Sequence, residues 1–218
     1  MERKDVVIIP DAVRGLSGGA LFYPSAGADL EIPLHAFRPW ISDFWFVDQS
    51  YAVENQYGPR DLLEDVRLEE VNGVTLRSGS PYRIAIRHET YRTENGRTFT
   101  IHACRGRGYD AFRSLIRGNG RKLSVFFHRG DSPGEGGSNF YWLGRKRLVN
   151  VLQQLEAGGL VVSDGSLALK HFRRSIAEEA SPDLSSIKSF EAKGYRFECV
   201  GYLGHRYGPT IVWKTSQL

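Results

Sequence analysis

The chain has 218 residues, 41% of them apolar and 12% aromatic, and carries a formal net charge of +4. That length fits one large domain with a substantial core, and a charged fraction of 25% is ordinary for a globular protein, which excludes a mainly disordered chain. Two cysteines, Cys104 and Cys199, are too few for a disulfide framework or a metal-ligand cluster, and both fall among strand-like residues as expected of core thiols.

In chain order, MERKDVVIIPDAV lacks the apolar run of a secretory signal, and no stretch of about 20 apolar residues follows it anywhere. The expectation is a soluble cytoplasmic protein. GALFYPSAG (19–27) reads as a short buried strand entering a glycine turn, and ADLEIPLHAFRPW (28–40) as a helical segment broken near Pro39. SDFWFVD (42–48) is a second apolar strand that ends on an acid. Residues 54–70 hold six acids against two arginines and read as helical or irregular. PYRIAIRHETYR and GRTFTIHACR flank Thr93-Glu94-Asn95-Gly96, a strong hairpin signal because Asn-Gly tolerates positive φ. Alternation of Ile84 and Ile86 with Arg83 and Arg87, and of Phe99 and Ile101 with Thr98 and His102, gives that hairpin one buried face and one wet face.

KLSVFFHRG (122–130) is the next strand and feeds the glycine-rich loop DSPGEGGSNF. Helical spacing of Leu148, Val151, Leu152 and Leu155 predicts a helix over 144–156, ended by Gly158-Gly159. LVVSD (160–164) is a further strand, a helical region around 166–180 leads to Pro182, and GYRFECVGYLG and PTIVWKTS form a closing strand pair around His205-Arg206-Tyr207-Gly208. Strands alternating with helical patterns argue for a layered α/β domain with a largely parallel sheet.

This order of elements resembles the class I S-adenosylmethionine-dependent methyltransferases. The resemblance rests on SAGAD (25–29) after the first strand, FVD (46–48) at the end of the second, LEAGGLVVSD (155–164) and the terminal strand pair, and it covers most of residues 19–218. It implies a single domain over 1–218: a three-layer Rossmann-like sheet of about seven strands, mostly parallel with an antiparallel C-terminal strand, into which the hairpin at about 81–104 is inserted. It also implies S-adenosylmethionine as cofactor, with Ser25, Gly27 and Asp29 lining the cofactor turn and Asp48 holding the ribose. Gly27 and Asp48 lie 21 residues apart, near the spacing expected of a glycine turn and a ribose-binding acid.

Placed at the carboxyl end of a central strand, His128, Arg129, Asp131 and Glu135 would shape the acceptor site. His128 would be the candidate general base oriented by a carboxylate, and glycines 134, 136 and 137 would offer amides to an anion. An ordinary surface turn is the competing reading of the same loop. His88 and His102, on opposite arms of the hairpin, are cross-strand neighbours without a third ligand, so no metal site is expected. Trp40, Trp45, Trp142 and Trp213 read mainly as core, with Tyr141-Trp142 placed to stack on a flat ligand.

The turn at 23–29 keeps one glycine and lacks the family's leading acid. The alternative is therefore a non-catalytic relative that binds a nucleotide, a nucleic acid or a protein partner. A basic band over 97–129, eight Arg or Lys against Asp110 alone, adds RNA as a third partner class.

Overall fold

The runs ALFYP, DFWFVD and LSVFFH are apolar at both side-chain parities, the pattern of strands covered on both faces. In the computed structural model, which describes residues 6–72, 83–131, 138–172, 189–203 and 210–218, all three are strands with buried centres. In chain order the strands are β1 (Val6–Ile8), β2 (Ala20–Pro24), β3 (Asp43–Asp48), β4 (Leu63–Asn72), β5 (Arg83–Arg92) and β6 (Thr98–Arg105). They continue as β7 (Leu123–His128), β8 (Leu155–Ser163), β9 (Phe190–Ala192), β10 (Tyr195–Leu203) and β11 (Ile211–Gln217). The helices are short: α1 (Pro10–Val13), α2 (Glu31–Phe37), α3 (Gly108–Ala111), which runs on as a π-helical stretch over Phe112–Arg117, and α4 (Leu148–Gln154).

The chain forms two compact units, one of Gly18–Lys122 and one of Met1–Ser17 with Leu123–Leu218. In Gly18–Lys122 the strand order is β2-β3-β6-β5-β4. β2, β3 and β6 run parallel, whereas β6-β5 and β5-β4 are antiparallel. One side of the core stacks Phe44 on Phe46 and Tyr91 on Phe99, and Phe22 meets Phe112 edge-on at 5.5 Å. In the other unit the order is β1-β10-β11-β8-β7, with β9 also paired to β10. Only β7 and β8 are parallel there. Phe172, Phe190, Phe197 and Trp213 make its aromatic centre, with Phe190 and Phe197 stacked at 4.7 Å.

These findings overturn the expected three-layer Rossmann-like sheet of about seven mostly parallel strands. Among the described residues there are eleven strands, antiparallel pairings within the units outnumber parallel ones six to three, and no α-helix exceeds seven residues. The physical reasons are local. The acidic segment 54–70 is no helix: a single 3-10 turn at Arg60–Leu62 runs into the ten-residue strand β4, whose side chains are mostly exposed and so carry no apolar period. The helix expected over 144–156 shrinks to α4, because Leu155 is already extended and starts β8. Residues 170–172 are helical, while the rest of the helix expected to 180, Pro182 and the turn at 205–208 lie outside the described residues.

The hairpin of β5 and β6 forms where expected, but its loop takes one left-handed residue, Gly96 (φ +80°), and closes through Thr93 N–H to Arg97 O at 2.8 Å. The hairpin's second face is also less wet than the alternation suggests. His88 shares the buried face of Ile84 and Ile86, and Glu89, on the other face and opposite Ile101, is buried as well because the segment after β3 folds over it. Fully buried Glu89 accepts from the Tyr57 amide (3.0 Å), from Arg87 Nε (2.5 Å) and from the Tyr91 hydroxyl, and Arg87 Nη1 reaches Val53 O. The Gly58 amide donates to Tyr91 Oη at 2.9 Å. A side chain at residue 58 would collide with that ring, since a Cβ there would lie 2.4 Å from Tyr91 Cζ. Gly58→Ala is therefore expected to lower stability by about 1–3 kcal/mol, the range for overpacking a site that cannot give way, read as a lower denaturant midpoint at unchanged slope.

Candidate functional site

β2 and β3 are parallel and in register from Ala20 with Asp43 to Pro24 with Val47, so the two strands finish at one level. The chain leaves β2 through a tight turn in which Ser25 (φ +54°) and Gly27 (φ +52°) both take the left-handed region. Glycine adopts that region freely, but serine does so at a cost of about 1 kcal/mol, and strain of this kind gathers at ligand sites. The turn is pinned to β3 by two amides: Ala26 N–H donates to Val47 O, and Gly27 N–H donates to Asp48 Oδ2, each at 3.0 Å. Asp48 Oδ1 accepts from the Ser50 amide (2.8 Å) and hydroxyl (2.6 Å), and Tyr51 Oη donates to Gly27 O at 2.9 Å. Burial, followed by the nearby Asp48 carboxylate, pushes the Tyr51 phenol far up, so it remains a donor. A Cβ added at Gly27 would meet no heavy atom within 4 Å, so the face of the turn is open.

Ser25, Gly27 and Asp48 thus come together as the sequence suggests, and Asp29 takes a different position. Its side chain is buried and accepts from Tyr23 Oη at 3.0 Å, holding the turn from inside. Ser50 and Tyr51 escaped the sequence reading; their only signal was a polar pair just past the acid.

The second group sits at the carboxyl end of β7, in the other unit. His128, Arg129 and Asp131 are all fully buried, so they do not form a surface turn. His128 Nε2 lies 3.1 Å from Asp131 Oδ2, which also accepts from Ser138 Oγ at 2.8 Å, while Ser138 N–H bonds Asp131 Oδ1. The carboxylate fixes the ring with its proton on Nε2, and buried Nδ1 has no hydrogen-bond partner among the described residues. Arg129 lies over the Phe127 ring (5.6 Å) and donates to Leu203 O at 3.2 Å. Gly130, at φ +66°, gives its amide to Asp164 Oδ2 at 2.7 Å, tying the ends of β7 and β8 together. Glu135 and glycines 134, 136 and 137 lie outside the described residues. An imidazole oriented by a carboxylate is half of a general-base arrangement, but this one is sealed from solvent and works as a buried brace.

The basic band of 97–129 is not one surface. Arg105, Arg107, Arg113 and Arg117 are exposed, whereas Arg121 is bound to Asp43 at 2.7 Å and Arg129 is buried in the other unit. Among the described residues there is no cluster of three or more His, Cys, Asp or Glu fit to hold a metal, and no helix long and apolar enough to cross a membrane.

Removing Asp131 strands the His128 and Ser138 donors in a dry site, so Asp131→Ala should cost about 3 kcal/mol in chemical denaturation, and Asp131→Asn, which keeps an acceptor, clearly less. Neither cysteine is in a disulfide, and the two differ in access: Cys199 is half-buried, while Cys104 is buried and its thiol is pushed up by that burial. A thiol reagent is expected to label Cys199 in the native protein and Cys104 only on unfolding, which mass spectrometry of the labelled peptides reads directly. Comparison of the chain with protein-family models, with curated proteins and with solved structures returns no match.

Proposed function

We propose that the joined ends of β2 and β3 bind the ribose of a nucleoside cofactor, S-adenosylmethionine, and that the protein is a methyltransferase-like enzyme. The observation that carries this reading is the bond from Gly27 N–H to Asp48 Oδ2 at 3.0 Å, beside an open glycine face. A carboxylate offers about four acceptor positions, and three are taken by Gly27 and Ser50. The fourth is oriented by those bonds and suits a ribose hydroxyl, while the left-handed turn lets the cofactor approach backbone rather than side chains. Methyl transfer is mainly the positioning of two reactants, so it asks little acid–base chemistry of the protein. His128, Arg129 and Asp131 serve as framework for the ends of β7 and β8.

A second reading, a binding protein without turnover, is favoured by the inward-facing Asp29 and by the full burial of the His128–Asp131 pair. Isothermal titration with S-adenosylmethionine and S-adenosylhomocysteine tests the first. One-to-one binding is expected, weakened at least about 10-fold, or about 1.4 kcal/mol, in a folded Asp48→Asn variant. Absence of binding to the intact protein refutes the proposal. Binding without methyl transfer to any offered acceptor favours the second reading.

A further inference from the structure

On one face of the Gly18–Lys122 unit, His88 of β5 stands directly opposite His102 of β6, and their Nδ1 atoms are 2.5 Å apart. The outer nitrogens are also engaged. His88 Nε2 lies 3.0 Å from Glu69 Oε2 of β4, and His102 Nε2 is bonded to Asp43 Oδ1 of β3. Four side chains from four strands form an unbroken chain, Glu69–His88–His102–Asp43. Both residues are buried.

Counting hydrogens decides what this chain is. Carboxylates accept, so each Nε2 carries a hydrogen. The facing Nδ1 atoms then have three options. Two lone pairs repel, two N–H groups clash, and one hydrogen between them makes a bond. The third option leaves three ring hydrogens on two imidazoles, a single positive charge held between two carboxylates. We propose that His88 and His102 are a hemiprotonated pair, a site for one shared proton, which fastens β4 and β5 to β6 and β3 and opens when a second proton is added.

The surroundings assign the charge. His102 stacks on Trp45 at 3.9 Å and faces Asp43, which also accepts from Trp45 Nε1 and from Arg121. Burial raises the Asp43 carboxyl, but the bond and charge of His102, with help from Trp45 and Arg121, carry it below its ordinary value, so it stays an anion. His88 is the neutral partner: burial, then His102 and Arg67, bring it down to about 4 against the opposing pull of Glu69. Asp43, Trp45, Glu69, Arg67, Arg121 and Cys104 complete the charged, titratable and aromatic groups around the pair. A metal in place of the proton would have two nitrogens and no third donor among the described residues, where zinc asks for four ligands.

The sign follows from linkage. The unfolded chain binds the second proton at about 6.5 and the folded chain at about 4, so stability from this pair is complete above 6.5 and is lost as pH falls between those values.

Long-range proton–nitrogen NMR on the intact, histidine-labelled protein tests this. Near neutrality three of the pair's four ring nitrogens should be protonated, with His88 Nδ1 the lone acceptor. On acidification this pattern should persist until about pH 4, where β4 and β5 amides lose exchange protection. Two neutral rings near neutrality, or both titrating independently at about 6.5, overturn the proposal. So does one-to-one uptake of Zn²⁺ or Cu⁺ that shifts both Nδ1 signals and raises Tm. His88→Gln should remove the acid loss of Tm between about 6.5 and about 4; an unchanged profile also overturns it, and if the variant does not fold the wild-type spectra decide.

Discussion

The parallel register of β2 with β3 is the constraint on which the candidate site depends. Because the two strands end at the same level, the chain leaving one meets the last side chain of the other, and a backbone amide falls within reach of Asp48. A one-residue slip would move Asp48 to the opposite face and leave the amide of Gly27 without its acceptor. The register is enforced by Leu21, Phe22, Phe44 and Phe46, which are fully buried, so the geometry of the polar turn is set by apolar packing behind it.

Carboxylates held by several donors are the second organising theme, and Glu89 and Glu156 tie together segments that lie far apart in sequence. Glu89 gathers the backbone of the segment after β3, and Asp131 gathers Ser138. Glu156 accepts from the Ser17 amide and hydroxyl and from Ser124 Oγ. Isolating such a group from water is costly, so each persists only where several donors surround it. These carboxylates contribute more to which segments meet than to net stability.

The sequence disclosed elements whose physics is local. Continuous apolar runs marked β2, β3 and β7, and Asn95-Gly96 marked the hairpin, although the turn uses Gly96 alone in the left-handed region. β4 was hidden because a strand with mostly exposed side chains leaves no period to read, and β1 and β9 are too short to leave one. The meeting of Gly27 with Asp48 was legible through spacing, and so was the pairing of His88 with His102. Burial of His128, Arg129 and Asp131 was not, because three polar residues before a glycine-rich stretch look like a loop until their partners are known. Tyr51 and Glu89 act through contacts 24 and 32 residues away, which no local pattern encodes.

Among the described residues, β4 is the last strand of its order and pairs on one side only, with β5. Its ten residues carry Glu64, Asp65, Arg67, Glu69 and Glu70, interrupted by exposed Val66 and Leu68. Such an edge is a template for another molecule's strand, and close-set acids are what discourages two copies from zipping together through it. The same charges that hide the strand from a reader of the sequence therefore govern colloidal behaviour: acid that neutralises them, or salt that screens them, removes the barrier to edge-to-edge growth.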